Sequence, residues 1–255
     1  LHLSLRRQRQ MCIRDRCTVF INNSTTSVRC THLFKMTKKV VVPKRNTYRH
    51  GDLYRALLEA GTQMARVGGP TAVVLREVTR QVGVAPNAAY RHFADRNALL
   101  QAVCFVAQSQ LALAIEAEMQ ACVDNGNAAD LARAHVRAVG TGYLRFARAE
   151  PGLFRTAFSV HEDLQQAQTP AMAGESGLTP FQLLGSALDE LVAAGAMGAE
   201  RRAGAEFLAW SAVHGLAMLS IDGPLRSLND EQAAAIGQRL IDMVEFGMPL
   251  ARGWG

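Results

Sequence analysis

Residues 75–100 read LREVTRQVGVAPNAAYRHFADRNALL, and this stretch decides the fold. Leu75, Val78 and Val82 fall at helical spacing, with Arg76, Glu77, Arg80 and Gln81 on the other side, which predicts a short amphipathic helix. Gly83-Val84 supplies a tight turn, because glycine adopts the left-handed backbone that closes a helix. Pro86 suits the first position of a third helix over residues 86–93. Two short helices about a glycine turn have the form of a helix-turn-helix, whose second helix enters the DNA major groove with its N-terminal residues on base edges. On that geometry Pro86, Asn87, Ala88 and Arg91 face bases, where Asn pairs bidentately with adenine and Arg with guanine. Tyr90 and His92 are placed to reach phosphates, and Phe93 is the apolar plug that fixes the helix. A helical hairpin with a glycine turn also occurs with no such role, so the neighbouring sequence has to decide.

Upstream, Asp52 is placed to cap a helix carrying Leu53, Leu57, Ala60, Met64 and Val67 in one apolar stripe, which Gly68-Gly69-Pro70 ends. Residues 51–97 therefore read as a three-helix head. The segment 75–100 resembles the DNA-binding domain of TetR-family regulators in its L-R-E-V second helix, its Gly83-Val84 turn, its Tyr90-to-Phe93 third helix and Arg96 ahead of Leu99-Leu100. The resemblance implies that Tyr90 and His92 contact phosphates, that Arg96 clamps the DNA backbone from the start of the fourth helix, and that Arg76 lies on a helix approaching DNA. Ala85 and Val74 depart from the family, which places Ser or Thr caps there. A lost cap typically costs about 1 kcal/mol.

Charge is distributed unevenly. Residues 1–100 hold 18 Lys and Arg against 5 Asp and Glu, and residues 101–255 hold 10 against 17, within an overall balance of +6. A basic front suits a polyanionic partner such as double-stranded DNA, although basic surfaces are common in themselves. Residues 36–50 form a basic arm with Lys38, Lys39, Lys44, Arg45 and Arg49, read either as a solvated tail or as a phosphate or minor-groove contact. Residues 1–35 lack periodicity, and LRRQRQMCIRDR over 5–16 resembles translated adapter sequence, so a non-native or disordered extension is expected with Met36 as the start. An organelle transit peptide and a longer basic DNA-binding arm are the other readings. From Met36 to residue 100 the balance is still 11 against 4.

The remainder, 98–255, is helical in pattern, so the fold class expected is all-α: a helix-turn-helix head followed by a helical ligand-binding and dimerisation domain. Helices are predicted from Asp95 to about Val123, over 128–149, through Phe154 and Phe158, from Thr179-Pro180 to near Gly195, over 199–221 and over 229–250, with a loop at 165–178. Thr179 with Gln182 three residues on has the spacing of a capping box. The segment WSAVHGLAML, 210–219, resembles the Trp-x-x-x-His-Gly motif of one TetR-family C-terminal class. The resemblance implies a homodimer through 199–221 and 229–250, with Ile236, Leu240, Met243, Val244 and Gly247 as the apolar seam and Gly215 permitting close approach. It also implies a small-molecule effector, for which Tyr143, Phe146, Phe154, Phe158, Phe181, Trp210, His214 and Met218 are the pocket candidates, with core packing as their ordinary alternative.

Several classes are disfavoured. No stretch approaches 18 uninterrupted apolar residues, so no membrane span is expected. Cys12, Cys17, Cys30, Cys104 and Cys122 form no C-x-x-C pair and suit a reducing, cytoplasmic setting. G-x-S-x-G, H-E-x-x-H, P-loop and G-x-G-x-x-G patterns are absent, so neither an enzyme nor a metal or cofactor site is expected. Gly140-Thr141-Gly142 is too short for a phosphate loop, and His161-Glu162-Asp163 reads as a solvated cluster. A ligand-responsive repressor reading a palindromic operator is the function expected. An activator of the same fold, an architectural DNA protein and a helical carrier or enzyme are its rivals.

Overall fold

Glycine, proline and short polar caps punctuate the chain, and helices fill the intervals between them. The computed structural model describes residues 50–160 and 169–247. Among the described residues the α-helices are α1 (His50–Gly68), α2 (Leu75–Val82), α3 (Pro86–Ala89), α4 (Arg96–Gln120), α5 (Ala128–Ala149), α6 (Pro151–Ala157), α7 (Pro180–Ala193), α8 (Ala205–Ile221) and α9 (Asp230–Gly247), with no strand. The all-α class expected from periodicity is the one observed. The extension 1–35, the basic arm through Arg49, the His161-Glu162-Asp163 cluster and the chain beyond Gly247 lie outside the described residues.

Local chemistry explains most boundaries. Asp95 caps α4 by accepting from the Ala98 amide at 2.8 Å. Asn127 accepts from the Ala129 and Asp130 amides at the start of α5. Thr179 and Gln182 form the reciprocal capping box of α7, at 3.3 and 2.9 Å. Gly83 closes α2 at φ 76°, in the left-handed region that glycine enters without a steric penalty. Neither Val74 nor Ala85 makes a side-chain cap, so α2 and α3 begin without that stabilisation.

The structure corrects the sequence reading at four places. α1 begins at His50, so Asp52 sits inside its first turn, where it favours the helix dipole and pairs with Arg55 at 3.7 Å. Val67 does not continue the buried stripe and is 90% exposed, because the last turn of α1 meets α6 through the Ala65 and Arg66 backbone. The third helix is one α-helical turn, after which Tyr90, Arg91 and His92 form turns. The Phe93 amide still reaches Ala89 O at 2.9 Å, which keeps the segment compact. The helix predicted from 199 begins at Ala205 instead. Ala199–Arg201 is a 3-10 turn, and Gly204 takes φ 75°, which breaks the run.

α4 is the axis of the fold. It is long and apolar enough to cross a membrane, but nine of its residues are buried against α1, α5, α6 and α7, as befits a core helix. α5 packs on its other side and is covered by α7, α8 and α9. Two glycines make these crossings close. A β-carbon on Gly142 would lie 2.7 Å from Ile115 Cα, and one on Gly140 would lie 2.9 Å from Ile241 Cγ1. The Gly140-Thr141-Gly142 run is thus a helix-crossing device. α8 and α9 pack together and leave Leu208, Leu219, Ile236, Met243 and Gly247 exposed, with Leu240 half-buried. Outside its own stretch of helix, no described atom lies within 4 Å of a would-be β-carbon on Gly215.

Candidate functional site

Two sites emerge, one on the head and one inside the body. On the head, burial of Leu75, Val78 and Thr79 turns Arg76 and Arg80 outward, and burial of Ala89 and Phe93 turns Pro86, Asn87, Tyr90 and Arg91 outward. Ala88 is half-buried. Phe93 is the plug: only 3% exposed, it stacks on Tyr54 of α1 at 5.0 Å between ring centroids. His92 is half-buried, its ring edge-on to Tyr54 at 6.2 Å, so it is less open to a ligand than Tyr90. Arg80 is held by Glu77 at 2.7 Å.

Arg96, expected to clamp the DNA backbone, bonds to the protein's own backbone. Its Nε donates to Val73 O at 2.8 Å and its terminal nitrogen to Pro70 O at 2.6 Å. The guanidinium ties down the segment that leads into α2, which makes Arg96 a positioning residue for the helix-turn-helix. That role depends on where a turn places two carbonyl groups, which no side-chain pattern reveals.

The body encloses a cavity of about 440 Å³ between α4, α5, α7, α8 and α9, within the roughly 300–1,000 Å³ range of small-molecule sites. Five of the eight pocket candidates line it: Tyr143, Phe158, Phe181, Trp210 and His214. The other three do not. Phe154 is fully buried behind the wall, with its ring 5.3 Å from Tyr143 and 5.2 Å from Phe158. Phe146 lies on another side of α5, facing the groove beside α8 and α9. Met218 packs into the core one helical turn beyond His214. Val244, expected in the dimer seam, lines the cavity instead. Cys104, Gln108, Met172, Thr179 and Ser211 also line it and were not foreseen. Gln108 carried no signal of its own in the sequence, being one of several polar residues on α4 with Gln101, Ser109 and Gln110.

A short polar chain crosses the wall. Trp210 Nε1 is only a donor, so it gives its proton to the Tyr143 hydroxyl oxygen, at 3.1 Å. Burial pulls the His214 imidazole below its ordinary range, so the ring is neutral. Burial pushes the Tyr143 phenol up, against the smaller opposite effect of the Trp210 hydrogen bond, so it keeps its proton. The Tyr143 hydroxyl therefore donates to His214 Nδ1 at 2.8 Å, which leaves the proton of a neutral ring on Nε2.

α6 joins the two regions. At its far end the Ala157 carbonyl accepts from Cys104 Sγ at 3.1 Å and from Gln108 Nε2 at 2.9 Å, and Phe158 lines the cavity. At its start Glu150 accepts from Arg66 of α1, which also reaches Gln110 of α4 at 3.2 Å. Gly152 fits against α1 so closely that a β-carbon would lie 2.8 Å from the Arg66 carbonyl carbon.

The comparisons agree with this anatomy. Residues 57–103 match the family model for bacterial regulatory proteins, tetR family, and residues 136–244 match that for the Tetracyclin repressor-like C-terminal domain. A protein of unknown function from Rhodococcus sp. RHA1 is 27% identical, over 77% of this chain and 97% of its own, with a TM-score of 0.59. TetR from Acinetobacter baumannii AYE, as a variant in complex with minocycline, is 13% identical over 78% of this chain and 97% of its own, with a TM-score of 0.51, a likeness of fold alone. No curated protein matches the chain significantly.

Proposed function

The chain belongs to the TetR family of transcriptional regulators, and from that premise we propose that it is a ligand-responsive repressor, a homodimer that reads a palindromic operator and releases it when a small molecule enters the cavity. In this reading residues 51–97 read DNA, and the body from residue 98 onward holds the effector and the dimer contact. Asn87 and Arg91, with Pro86 and Ala88 beside them, meet base edges, while Arg76, Tyr90 and the half-buried His92 meet the backbone. Arg49 and the basic arm add phosphate contacts, and Arg96 holds α2 in place. The exposed apolar face of α8 and α9, with Leu208, Leu219, Ile236 and Met243, suits burial against a second copy. Two-fold pairing would set the recognition segments about 34 Å apart, one DNA turn. The chain then works as a cytoplasmic regulator and not as an enzyme.

The single observation that carries the reading is α6, whose start rests on α1 of the head and whose end lines the cavity. A ligand that displaces Phe158 acts on the same helix that Gly152 and Glu150 dock against α1. The experiment is a fluorescence-anisotropy titration of the full chain on DNA flanking its own gene, against random duplex and over a salt series, with sedimentation of the Met243→Glu variant alongside. Sequence-preferring, salt-dependent binding by a dimer that Met243→Glu weakens is the expected result. Equal affinity for random duplex would refute it, and a reporter that rises on expression of the protein would make it an activator.

A further inference from the structure

The cavity's lining specifies the chemistry of its occupant. Among the described residues that line it, none carries a formal charge: the polar contributors are hydroxyl, amide, thiol, phenol, indole and imidazole groups. A charged ligand would lose its hydration there and meet no counter-ion, the costliest form of burial. An aromatic cage for a cation is disfavoured as well. Such a cage needs ring faces turned towards the void. Here the rings are used on one another: Phe158 stands edge-on to His214 at 4.9 Å, Phe181 stands edge-on to Trp210 at 5.8 Å, and Tyr143 stands edge-on to Phe154.

The polar chain narrows the class further. The Trp210 and Tyr143 donors are spent inside the wall, the first on the Tyr143 oxygen and the second on His214 Nδ1. Cys104 and Gln108 donate to the Ala157 carbonyl. The neutral His214 ring retains its Nε2 proton, and no partner for it is found among the described residues. The wall therefore offers few uncommitted donors, His214 Nε2 and the Thr179 and Ser211 hydroxyls, within an apolar surface, and of these only His214 sits among the clustered rings. We propose that the cavity takes an uncharged, largely apolar molecule carrying a hydrogen-bond acceptor that meets His214. This deepens the effector reading and rests on it. It separates the cavity from one built for a carboxylate, a phosphate, a quaternary ammonium or a metal-chelated ligand.

Three probes of one shape test it by isothermal titration calorimetry with the full chain at neutral pH: 2-naphthamide, 2-naphthoate and 2-naphthylmethylammonium. The amide is expected to bind about tenfold or more tightly than either ion. His214→Phe is expected to weaken the amide several-fold while leaving naphthalene binding unchanged, a difference that general loss of folding would not give. Equal or tighter binding of either ion overturns the inference, as does failure of all three to bind. The parent reading is scored separately by operator release. An ion that binds and releases DNA refutes the ligand class and keeps the repressor, while an amide that binds without affecting DNA keeps the class and refutes the repressor.

Discussion

Replacing Gly152 with alanine tests the joint between cavity and head. The added β-carbon falls 2.8 Å from the Arg66 carbonyl carbon and closer still to the Ala65 and Arg66 carbonyl oxygens. These are backbone atoms in the last turns of α1, so no rotamer change relieves the clash, and α6 must withdraw by the better part of an ångström. Overpacking of this kind costs about 1–3 kcal/mol. The higher helix propensity of alanine returns about 0.5–1 kcal/mol, which leaves a net loss of roughly 0–2.5 kcal/mol. For a chain of this size each kcal/mol lowers Tm by about 2–4 °C, so a fall of up to roughly 10 °C is expected. Differential scanning fluorimetry reads it, with Gly215→Ala as the internal control. Outside its own stretch of helix no described atom lies within 4 Å of that β-carbon, so this variant should lose no stability as a monomer. In operator titrations with and without saturating 2-naphthamide, Gly152→Ala should bring the ratio of the two Kd values towards one, because α6 no longer bears on α1. A Tm equal to wild type together with an unchanged ratio would refute the reasoning.

Arg96→Ala removes the donors to Val73 O and Pro70 O, for a loss of about 1–2 kcal/mol in stability. Operator affinity should fall while the slope of log Kd against log salt stays constant, whereas a phosphate contact would reduce that slope by about one. Ala85→Ser supplies the missing cap at a position already extended, φ −68° and ψ 144°, and should raise stability by about 1 kcal/mol in a chemical denaturation curve. Glu116 gives a pH dependence. Burial works to raise its pKa, but the Ser176 hydroxyl and the Ser176 and Glu175 amides outweigh burial and hold it below the ordinary 4.5. A carboxyl lowered in the folded state contributes stability that is complete above about pH 4.5 and is lost as pH falls through the lowered value. The Tm difference between wild type and Glu116→Gln should shrink below pH 4.5, and a difference that stays constant to pH 3 would count against it.

What could be read from sequence was local, and what escaped was pairing at a distance. α5 has the bounds its flanking residues announce, because Asn127 caps one end and Pro151 follows the other. The helix-turn-helix was legible for the same reason, since Gly83 and Pro86 act within a few residues. The start of α8 escaped because the apolar pattern runs on through Ala199. There Arg202 is engaged by Asp189 at 2.6 Å, Glu206 at 2.7 Å and the Gly185 carbonyl at 3.2 Å, contacts that favour the turn over an extra helical turn. The pocket list named the right helices, and its errors are errors of facing. Phe146 shares α5 with Tyr143 but looks towards α8 and α9 from the other side. Val244 alternates with Met243 on α9, yet only Met243 meets solvent.

The same facing sets how far a ligand can control the head. α6 has seven residues, about 10 Å of helix, with Phe158 as its C-cap and Gly152 in its first turn. In the proposed reading a movement at the cavity wall would reach α1 through this short, buried element. Thermodynamic linkage then requires symmetry: if the ligand weakens operator binding by some factor, the operator weakens ligand binding by the same factor, typically about 5–150-fold. Substitutions at the joint and in the cavity must therefore separate. His214→Phe changes ligand affinity and preserves the coupling factor for whatever still binds. Gly152→Ala leaves the cavity lining intact and lowers the coupling factor measured from either side. A Gly152→Ala protein that still bound the ligand and kept the wild-type factor would mean that the ligand acts on the head by a route other than α6.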